Sequence, residues 1–215
     1  MTSVSEAICN RCGARQEVAV HDSINVRETP ELKAQVLDGS LFVWECPSCG
    51  ARNLIRSQTL YHDPDEKLMV WVTSGSEGLE SRVRAAYSGM DEMNGYTARF
   101  VDDAGSLIEK VKVFDAGLDD IVMEMAKFVT RMEIAGGRQD RADDILGATF
   151  RFLKLDGADN EITFAYPLDG AMQMVAVGFN VYEDCRGILK RNPEMAAAAA
   201  GFARVDAAFV SRFFR

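Results

Sequence analysis

Short runs of alternating hydrophobic and polar residues dominate the first third of the chain, with one helical segment among them. Gln16–Val20 carries valine at every second position, which predicts a strand. Thr29-Pro30-Glu31 combines a hydroxyl, a proline and an acid, as a helix start does, and Asp38-Gly39 ends that helix. Further strands are predicted at Leu41–Glu45, Arg52–Tyr61 and Leu68–Thr73. The last two are expected to form an antiparallel hairpin that extends the first sheet, because residues 62–67 are rich in turn-forming Asp and Pro.

Helical periodicity replaces this alternation between residues 80 and 133, apart from a short strand predicted at Thr97–Val101. A first helix is predicted at Glu80–Met93. From Asp103 to Glu133, apolar residues recur at helical spacing on both sides of Ala116-Gly117, which predicts two helices joined at the glycine. Ala135–Asp140 contains two glycines among polar residues and is predicted to be a linker.

Beyond residue 140 the pattern returns to strands and then ends in helices. The strands are predicted at Thr149–Leu155, Glu161–Pro167 and Met172–Val177, and the helices at Val181–Lys190, Glu194–Arg204 and Asp206–Arg215. The apolar residues of the C-terminal end include Phe202, Phe209, Val210, Phe213 and Phe214. They can pack on the C-terminal sheet or form a homodimer contact, and the sequence leaves both open. Two domains are therefore expected, at residues 1–133 and at residues 140–215.

Four of the five cysteines form two C-x-x-C pairs, Cys9-Asn10-Arg11-Cys12-Gly13 and Cys46-Pro47-Ser48-Cys49-Gly50. Two intervening residues let the backbone fold into a knuckle with both thiolates on one side, and the following glycine can adopt a left-handed conformation. Two knuckles supply the four ligands of a tetrahedral zinc site, which is structural because no position stays open for water or substrate. Iron is the alternative metal for four thiolates.

The spacing of the pairs adds a helical insert to this picture. Thirty-three residues separate Cys12 from Cys46, where a compact zinc ribbon has about 15–20. The predicted helix between the knuckles accounts for the extra length. The fold class is therefore α+β: zinc-ribbon-like antiparallel strands with a helical insert, a hairpin extension and packed helices, plus a C-terminal sheet-and-helix unit.

The remaining cysteine and the two histidines are expected to be structural. Cys185 lies in a helical segment and suits a small buried side chain, because a nucleophile would need a nearby base. His21 and His62 are the only histidines, and four cysteines already complete a metal site without them.

Composition narrows the classes of protein. Of 215 residues, 47% are hydrophobic and 27% are charged, as in globular proteins, and the net charge of −9 opposes a dominant nucleic-acid interface. No run approaches the roughly 20 apolar residues of a membrane helix, and the N-terminus lacks the basic and apolar segments of a secretory signal. We therefore expect no membrane association and a cytoplasmic location, where cysteines stay reduced and available to metal.

Several of these segments together resemble the CpXC-domain family, a mainly bacterial and largely uncharacterised group. The similarity covers most of residues 6–133 and rests on both knuckles, His21-Asp22-Ser23-Ile24-Asn25, residues 30–39, Leu60-Tyr61-His62-Asp63-Pro64 and residues 107–120. The first pair departs from the family name because Asn10 stands where a proline would be. The resemblance implies that Cys9, Cys12, Cys46 and Cys49 are the metal ligands, and it implies no established reaction, substrate or partner.

Three functions remain under consideration. The closed metal site favours a non-enzymatic zinc-binding module that binds another protein. Nucleic-acid binding is less favoured but has candidate residues near the knuckles: Arg11, Arg15, Arg52 and Arg56 for phosphates, and Trp44 or Tyr61 for base stacking. An enzyme would need acid/base groups such as His62 with Asp63 and Asp65, or Asp119 with Asp120, yet turns collect Asp for structural reasons. The sequence therefore leans against an enzyme without deciding the question.

Overall fold

The chain is an α+β protein, which confirms the predicted fold class. The computed structural model describes residues 2–90 and 93–214, and these residues form eight helices and four small sheets. They divide into two compact units. The first unit runs to Ile108 and includes Gly201–Ala203, whereas the second holds Glu109–Ala200 and the chain from Arg204 onward. The division into domains at residues 1–133 and 140–215 stays a prediction.

Two short antiparallel hairpins carry the knuckles in the first unit. The first hairpin joins β1 (Thr2–Ile8) to β2 (Arg15–His21), and the second joins β4 (Val43–Glu45) to β5 (Arg52–Leu54). The β2 strand was expected from its valines, whereas β1 was not, because its residues are mostly exposed and its apolar positions do not alternate.

The first unit also contains a five-stranded sheet, in the order β12-β8-β7-β6-β3. Its strands are β3 (Ser23–Asn25), β6 (Thr59–Asp63), β7 (Leu68–Val72), β8 (Thr97–Val101) and β12 (Phe202–Ala203). The predicted hairpin is β6–β7 and is antiparallel, while the other three pairings are parallel. The expected single strand at 52–61 is divided, because β5 pairs with β4 beside the knuckle and β6 pairs with β7 in this larger sheet.

Two helices accompany these sheets. The helix between the knuckles is α1 (Glu31–Asp38), and Gly39 ends it in the left-handed conformation with φ of 78°. The Thr29 hydroxyl does not cap α1 as expected but donates to the Asn25 carbonyl, 3.0 Å away. The segment expected as a strand at 41–45 begins as a 3-10 turn, Ser40–Phe42. The second helix is α2 (Leu79–Tyr87), shorter than the predicted 80–93, of which Asp91 and Glu92 lie outside the described residues.

The second unit combines helices with an antiparallel sheet in the order β11-β10-β9. Its strands are β9 (Arg151–Asp156), β10 (Glu161–Leu168) and β11 (Ala171–Gly178), close to the predicted segments. Its helices are α4 (Asp120–Gly137), α5 (Ala142–Gly147), α6 (Phe179–Arg191), α7 (Pro193–Ala198) and α8 (Ala207–Ser211), and α3 (Ala104–Asp115) begins in the first unit and ends in the second.

Three predictions for this half need correction. The expected linker at 135–140 instead contains the last turn of α4, where Ala135 is buried, and the start of a 3-10 turn, Gln139–Arg141. The expected helix at 194–204 ends at Ala198, and Phe202–Ala203 is a strand. The last helix, expected at 206–215, is α8, and Arg215 lies outside the described residues.

The aromatic C-terminal residues are divided between the two units. Phe202 packs against Phe100 and Tyr87 in the first unit, with ring centroids 5.2 Å apart in both pairs. In the second unit Phe209 is buried and Phe214 stacks on Phe128 of α4. The ring contacts of Phe202 and Phe214 are thus made within the chain, and a homodimer contact stays a prediction.

Buried charged residues link α3 to α4 in the second unit. Lys127 Nζ lies 2.7 Å from carboxylate oxygens of both Glu109 and Glu124. Lys110 Nζ lies 2.8 Å from an oxygen of Asp120. All five of these residues are buried, so each charge depends on its partner for stabilisation.

Candidate metal centre

The two knuckles share one pattern of backbone hydrogen bonds. In the first, the Cys9 amide donates to the Ala14 carbonyl at 2.9 Å and the Gly13 amide donates to the Cys9 carbonyl at 2.9 Å. In the second, Cys46 donates to Ala51 at 2.9 Å and Gly50 donates to Cys46 at 2.8 Å. Gly13 and Gly50 have positive φ angles of 73° and 67°. This left-handed conformation is easy for glycine and strained for other residues, as the sequence pattern predicted.

The four knuckle cysteines converge on one point. Their Sγ atoms all lie within 4.8 Å of one another, and the Cys9–Cys49 and Cys12–Cys46 sulfurs are 3.6 Å apart. A tetrahedral zinc ion with Zn–S bonds of about 2.3 Å separates its sulfurs by about 3.8 Å. A disulfide would require about 2.05 Å, and all four cysteines are free. The sulfur set therefore fits one tetrahedral metal ion and could hold it.

An apolar cluster surrounds the inner half of the sulfur set. Cys9 and Cys46 are buried with Val18, Val20 and Trp44, whereas Cys49 is half-buried and Cys12 is exposed. The cluster shields the sulfurs of Cys9 and Cys46 from water and leaves Cys12 exposed to solvent.

Burial and hydrogen bonds shift the pKa values of Cys9 and Cys49 in opposite directions. Burial opposes ionisation of Cys9, but hydrogen bonds from the backbone of Cys12 and Arg11 lower its pKa from 9.0 to about 6. For Cys49, a backbone hydrogen bond from Ala51 favours ionisation, but burial and the neighbouring thiols raise its pKa to about 12. The same hydrogen bonds thus favour the thiolate of Cys9 and the protonated thiol of Cys49, and a metal ion would replace the Cys49 proton.

Asn53 is a residue of this centre that sequence reasoning missed. It lies on β5, opposite Trp44 in the strand register, and is 5% exposed. Its Nδ2 donates to Cys9 Sγ at 3.6 Å and to the Ala51 carbonyl at 2.8 Å, and its Oδ1 accepts from the Asn10 amide at 2.9 Å. The sequence signal that could have identified Asn53 is an amide side chain four residues after Cys49. It lies in the strand that follows the second knuckle and pairs with the strand before it.

The other predicted polar residues lie elsewhere. His21 Nδ1 is 3.3 Å from the Thr2 hydroxyl and His62 Nε2 is 3.0 Å from the Tyr96 hydroxyl, and neither histidine belongs to the cysteine cluster. Cys185 is buried, and burial together with Asp184 raises its pKa to about 11, which suits the expected inert thiol.

The acidic residues considered for catalysis have structural partners. Asp63 accepts from Lys33 at 3.1 Å, and Asp65 pairs with Arg27. Asp119 caps α4 by accepting from the amides of Ile121 and Val122, and Asp120 pairs with Lys110. Each of these four aspartates therefore takes part in an ion pair or a helix cap.

The residues considered for nucleic-acid binding are also divided by the structure. Trp44 and Tyr61 are 8% and 0% exposed, so the hypothesis that either stacks on bases is wrong. Arg11, Arg15, Arg52 and Arg56 are exposed, but Arg15 pairs with Glu6 at 2.8 Å and Arg52 lies opposite Glu45 in the β4–β5 register.

Two cysteine knuckles on short antiparallel hairpins, with their four sulfurs in one cluster, define a zinc-ribbon-like protein. The chain belongs to the CpXC family, because the model of that family, described as CpXC protein, matches residues 8–127, more than half of the chain. The matched range includes both knuckles, Asn53 and the first eight residues of α4. No curated protein and no solved structure gave a match. Among the described residues, no helix has the length and apolar character needed to cross a membrane.

Proposed function

We propose that Cys9, Cys12, Cys46 and Cys49 bind one zinc ion as a structural centre, and that the protein is a non-enzymatic, cytoplasmic module that binds a protein partner. The observation that carries this proposal is the convergence of the four sulfurs to within 4.8 Å of one another. The matching hydrogen bonds of the two knuckles support it, because they give both cysteine pairs the same local backbone geometry.

A structural role is supported by the composition of the ligand set. Four protein thiolates fill a tetrahedron and leave no position for water or substrate. Zinc would supply a cross-link between the two hairpins and would neutralise thiolate charge. The chain orients the sulfurs through the amide of Arg11, which donates to Cys9 Sγ at 3.4 Å, and through the side chain of Asn53.

A protein partner is supported by apolar side chains beside the knuckles. Ile8 directly precedes Cys9 and is 53% exposed, and Leu54 directly follows Asn53 and is 67% exposed. Contiguous exposed apolar patches mark protein-binding surfaces, and the proposal assigns Ile8 and Leu54 to such a patch. The net charge of −9 disfavours nucleic acid as the partner.

The metal proposal is tested by elemental analysis of the untagged, full-length protein. We expect one zinc per chain in the wild type, with less zinc and lower solubility in Cys46→Ser. Cys185→Ala is the matched control because it removes a thiol outside the cluster, and it should retain the metal. Iron in place of zinc would correct the identity of the ion, and a metal-free wild type that stays folded would refute the proposal.

The partner proposal is tested by crosslinking and affinity capture with the wild type and two double variants. Ile8→Asp/Leu54→Asp changes the apolar residues beside the knuckles, whereas Met172→Asp/Met174→Asp changes exposed methionines of β11. We expect a specific protein, or a second copy of the chain, to be lost only with the first variant. Equal capture by all three proteins would contradict the assigned surface, and a gel shift with nucleic acid at micromolar protein and low salt would favour the alternative.

A further inference from the structure

We infer that Asn53 is a positioning residue of the metal centre, whose side-chain amide holds the two knuckles together and orients the Cys9 sulfur. This inference rests on the proposed function, since it concerns the same four cysteines. It adds a residue that is not a metal ligand and that joins the two hairpins by hydrogen bonds.

The three hydrogen bonds of Asn53 connect both knuckles. Its Oδ1 accepts from the amide of Asn10, which lies between the cysteines of the first knuckle. Its Nδ2 donates to the carbonyl of Ala51, which follows the second knuckle, and to the Sγ of Cys9. A single side chain thus spans residues that are more than 40 positions apart in sequence.

The chemistry of these partners requires an amide. The backbone amide of Asn10 can only donate and the carbonyl of Ala51 can only accept, so the side chain at position 53 must offer one acceptor and a donor on the same terminal group. This also fixes which terminal atom of Asn53 is oxygen and which is nitrogen. Aspartate would keep the bond from Asn10 but would lose both donors, and alanine would lose all three bonds.

Because Asn53 is buried, the loss of its hydrogen bonds should be costly. Asn53 is 5% exposed, so water cannot readily replace a lost partner. Without Asn53 the Ala51 carbonyl would still accept from the Cys46 amide, but the Asn10 amide would lose its acceptor. The N–H···S bond also withdraws electron density from Cys9 Sγ, a sulfur that accepts from the Arg11 amide as well. Removing the Asn53 donor should therefore change both the geometry of the sulfur set and the electronic character of one ligand.

The test uses the full-length protein with Asn53→Ala, Asn53→Asp and the control Asn10→Ala. The control deletes the same side-chain atoms from a neighbouring exposed asparagine and keeps the backbone amide that Asn53 accepts from. Zinc affinity is measured by chelator competition, and the thiolate-to-metal charge-transfer bands are measured after Co²⁺ substitution. The charge-transfer bands report on the ligand sulfurs themselves. A change in global stability alone would not shift these bands.

We expect Asn53→Ala and Asn53→Asp to bind zinc about 10- to 100-fold more weakly than the wild type and to shift the charge-transfer bands. Asn10→Ala should match the wild type in both measurements. Should Asn53→Ala fail to fold, Asn53→Asp alone decides, because it keeps the bond from Asn10. Wild-type affinity and an unchanged spectrum in Asn53→Asp would overturn the inference. A wild type that binds neither ion would instead refute the metal centre itself.

Discussion

Two regions of the molecule place charged groups in protected surroundings, and they balance those charges differently. In the α3–α4 region, Lys110 and Lys127 lie against three buried carboxylates, so opposite charges come from the chain itself. The knuckles instead gather four thiols, which repel one another as they ionise. In the α3–α4 region the chain supplies charges of both signs, whereas the proposed zinc site assigns the positive charge at the knuckles to an added cation.

The largest effect is expected from shortening the chain to residues 1–133, the predicted domain boundary. The Phe152 amide donates to Glu109 at 2.7 Å, and the Val205 carbonyl accepts from Lys110 at 2.8 Å. The shortened chain loses both partners, so we expect residues from Glu109 onward to lose their structure and the fragment to aggregate. Hydrogen exchange and circular dichroism check this. A fragment that unfolds cooperatively at the denaturant midpoint of the full chain would contradict it and support the predicted boundary.

The next effect concerns metal removal. It should unfold the ribbon, which we define as strands β1, β2, β4 and β5 with their knuckles, and leave the second unit folded. The binding free energy of structural zinc in small domains is about 10–16 kcal/mol, and most of it is folding free energy. After chelation we expect β1, β2, β4 and β5 to lose hydrogen-exchange protection while α4 keeps it. Mass spectrometry of peptides from both regions measures the difference. Protection lost equally in both would show that the two regions do not respond separately.

A smaller effect is expected from Lys127→Met, which leaves Glu109 and Glu124 facing each other without their shared cation. Burial lowers the pKa of Lys127, but the two carboxylates raise it above its ordinary value, so the pair favours the charged lysine. We expect a loss of about 3–5 kcal/mol in the free energy of unfolding, with zinc content unchanged. Denaturant unfolding provides the measurement.

A matched lysine serves as the control for that variant. Lys154 pairs with Asp156 at 3.1 Å but is 63% exposed, so Lys154→Met should change stability by no more than about 0.5 kcal/mol. Equal losses for the two lysines would mean that burial does not set the value of these ion pairs.

The smallest effect is a pH dependence at Asp63 in the first unit. Burial raises the pKa of this carboxyl, but hydrogen bonds from Lys33 and the Glu66 amide lower it, so the net pKa lies below its ordinary value of 3.8. Its stabilising contribution is therefore complete above about pH 4 and is lost as pH falls through the lowered folded pKa. Asp63→Asn should flatten the stability profile below pH 4, and thermal unfolding at several pH values measures this. An unchanged profile would argue against the Lys33 contact in solution.

Local patterns predicted much of the fold. Each knuckle depends on a pentapeptide that ends in glycine, and α3 and α4 are separated by Gly117, whose φ is 67°. The convergence of the sulfurs followed from the same reasoning. Each knuckle supplies two thiolates, and a tetrahedral metal site needs four, so both knuckles were expected at one site.

Long-range pairing decided what the patterns missed. Residues 52–61 contain no glycine or proline and were predicted as one strand, yet the two halves of this segment pair with different strands. Lys127 and Glu124 have the composition of an exposed helix face, but their partner Glu109 lies on another helix. Asn53 was missed for the same reason, since its role depends on a knuckle far away in the chain.

The position of β12 has a consequence for how the protein is made. Phe202 pairs with Ala98 at the edge of the five-stranded sheet, and its carbonyl accepts from Arg84 at 3.0 Å. About a hundred residues must leave the ribosome between synthesis of the two paired strands. The β8 edge of the nascent sheet therefore stays unpaired until residues 202–203 have been made, and chains that stop earlier expose this edge to other nascent proteins or to chaperones.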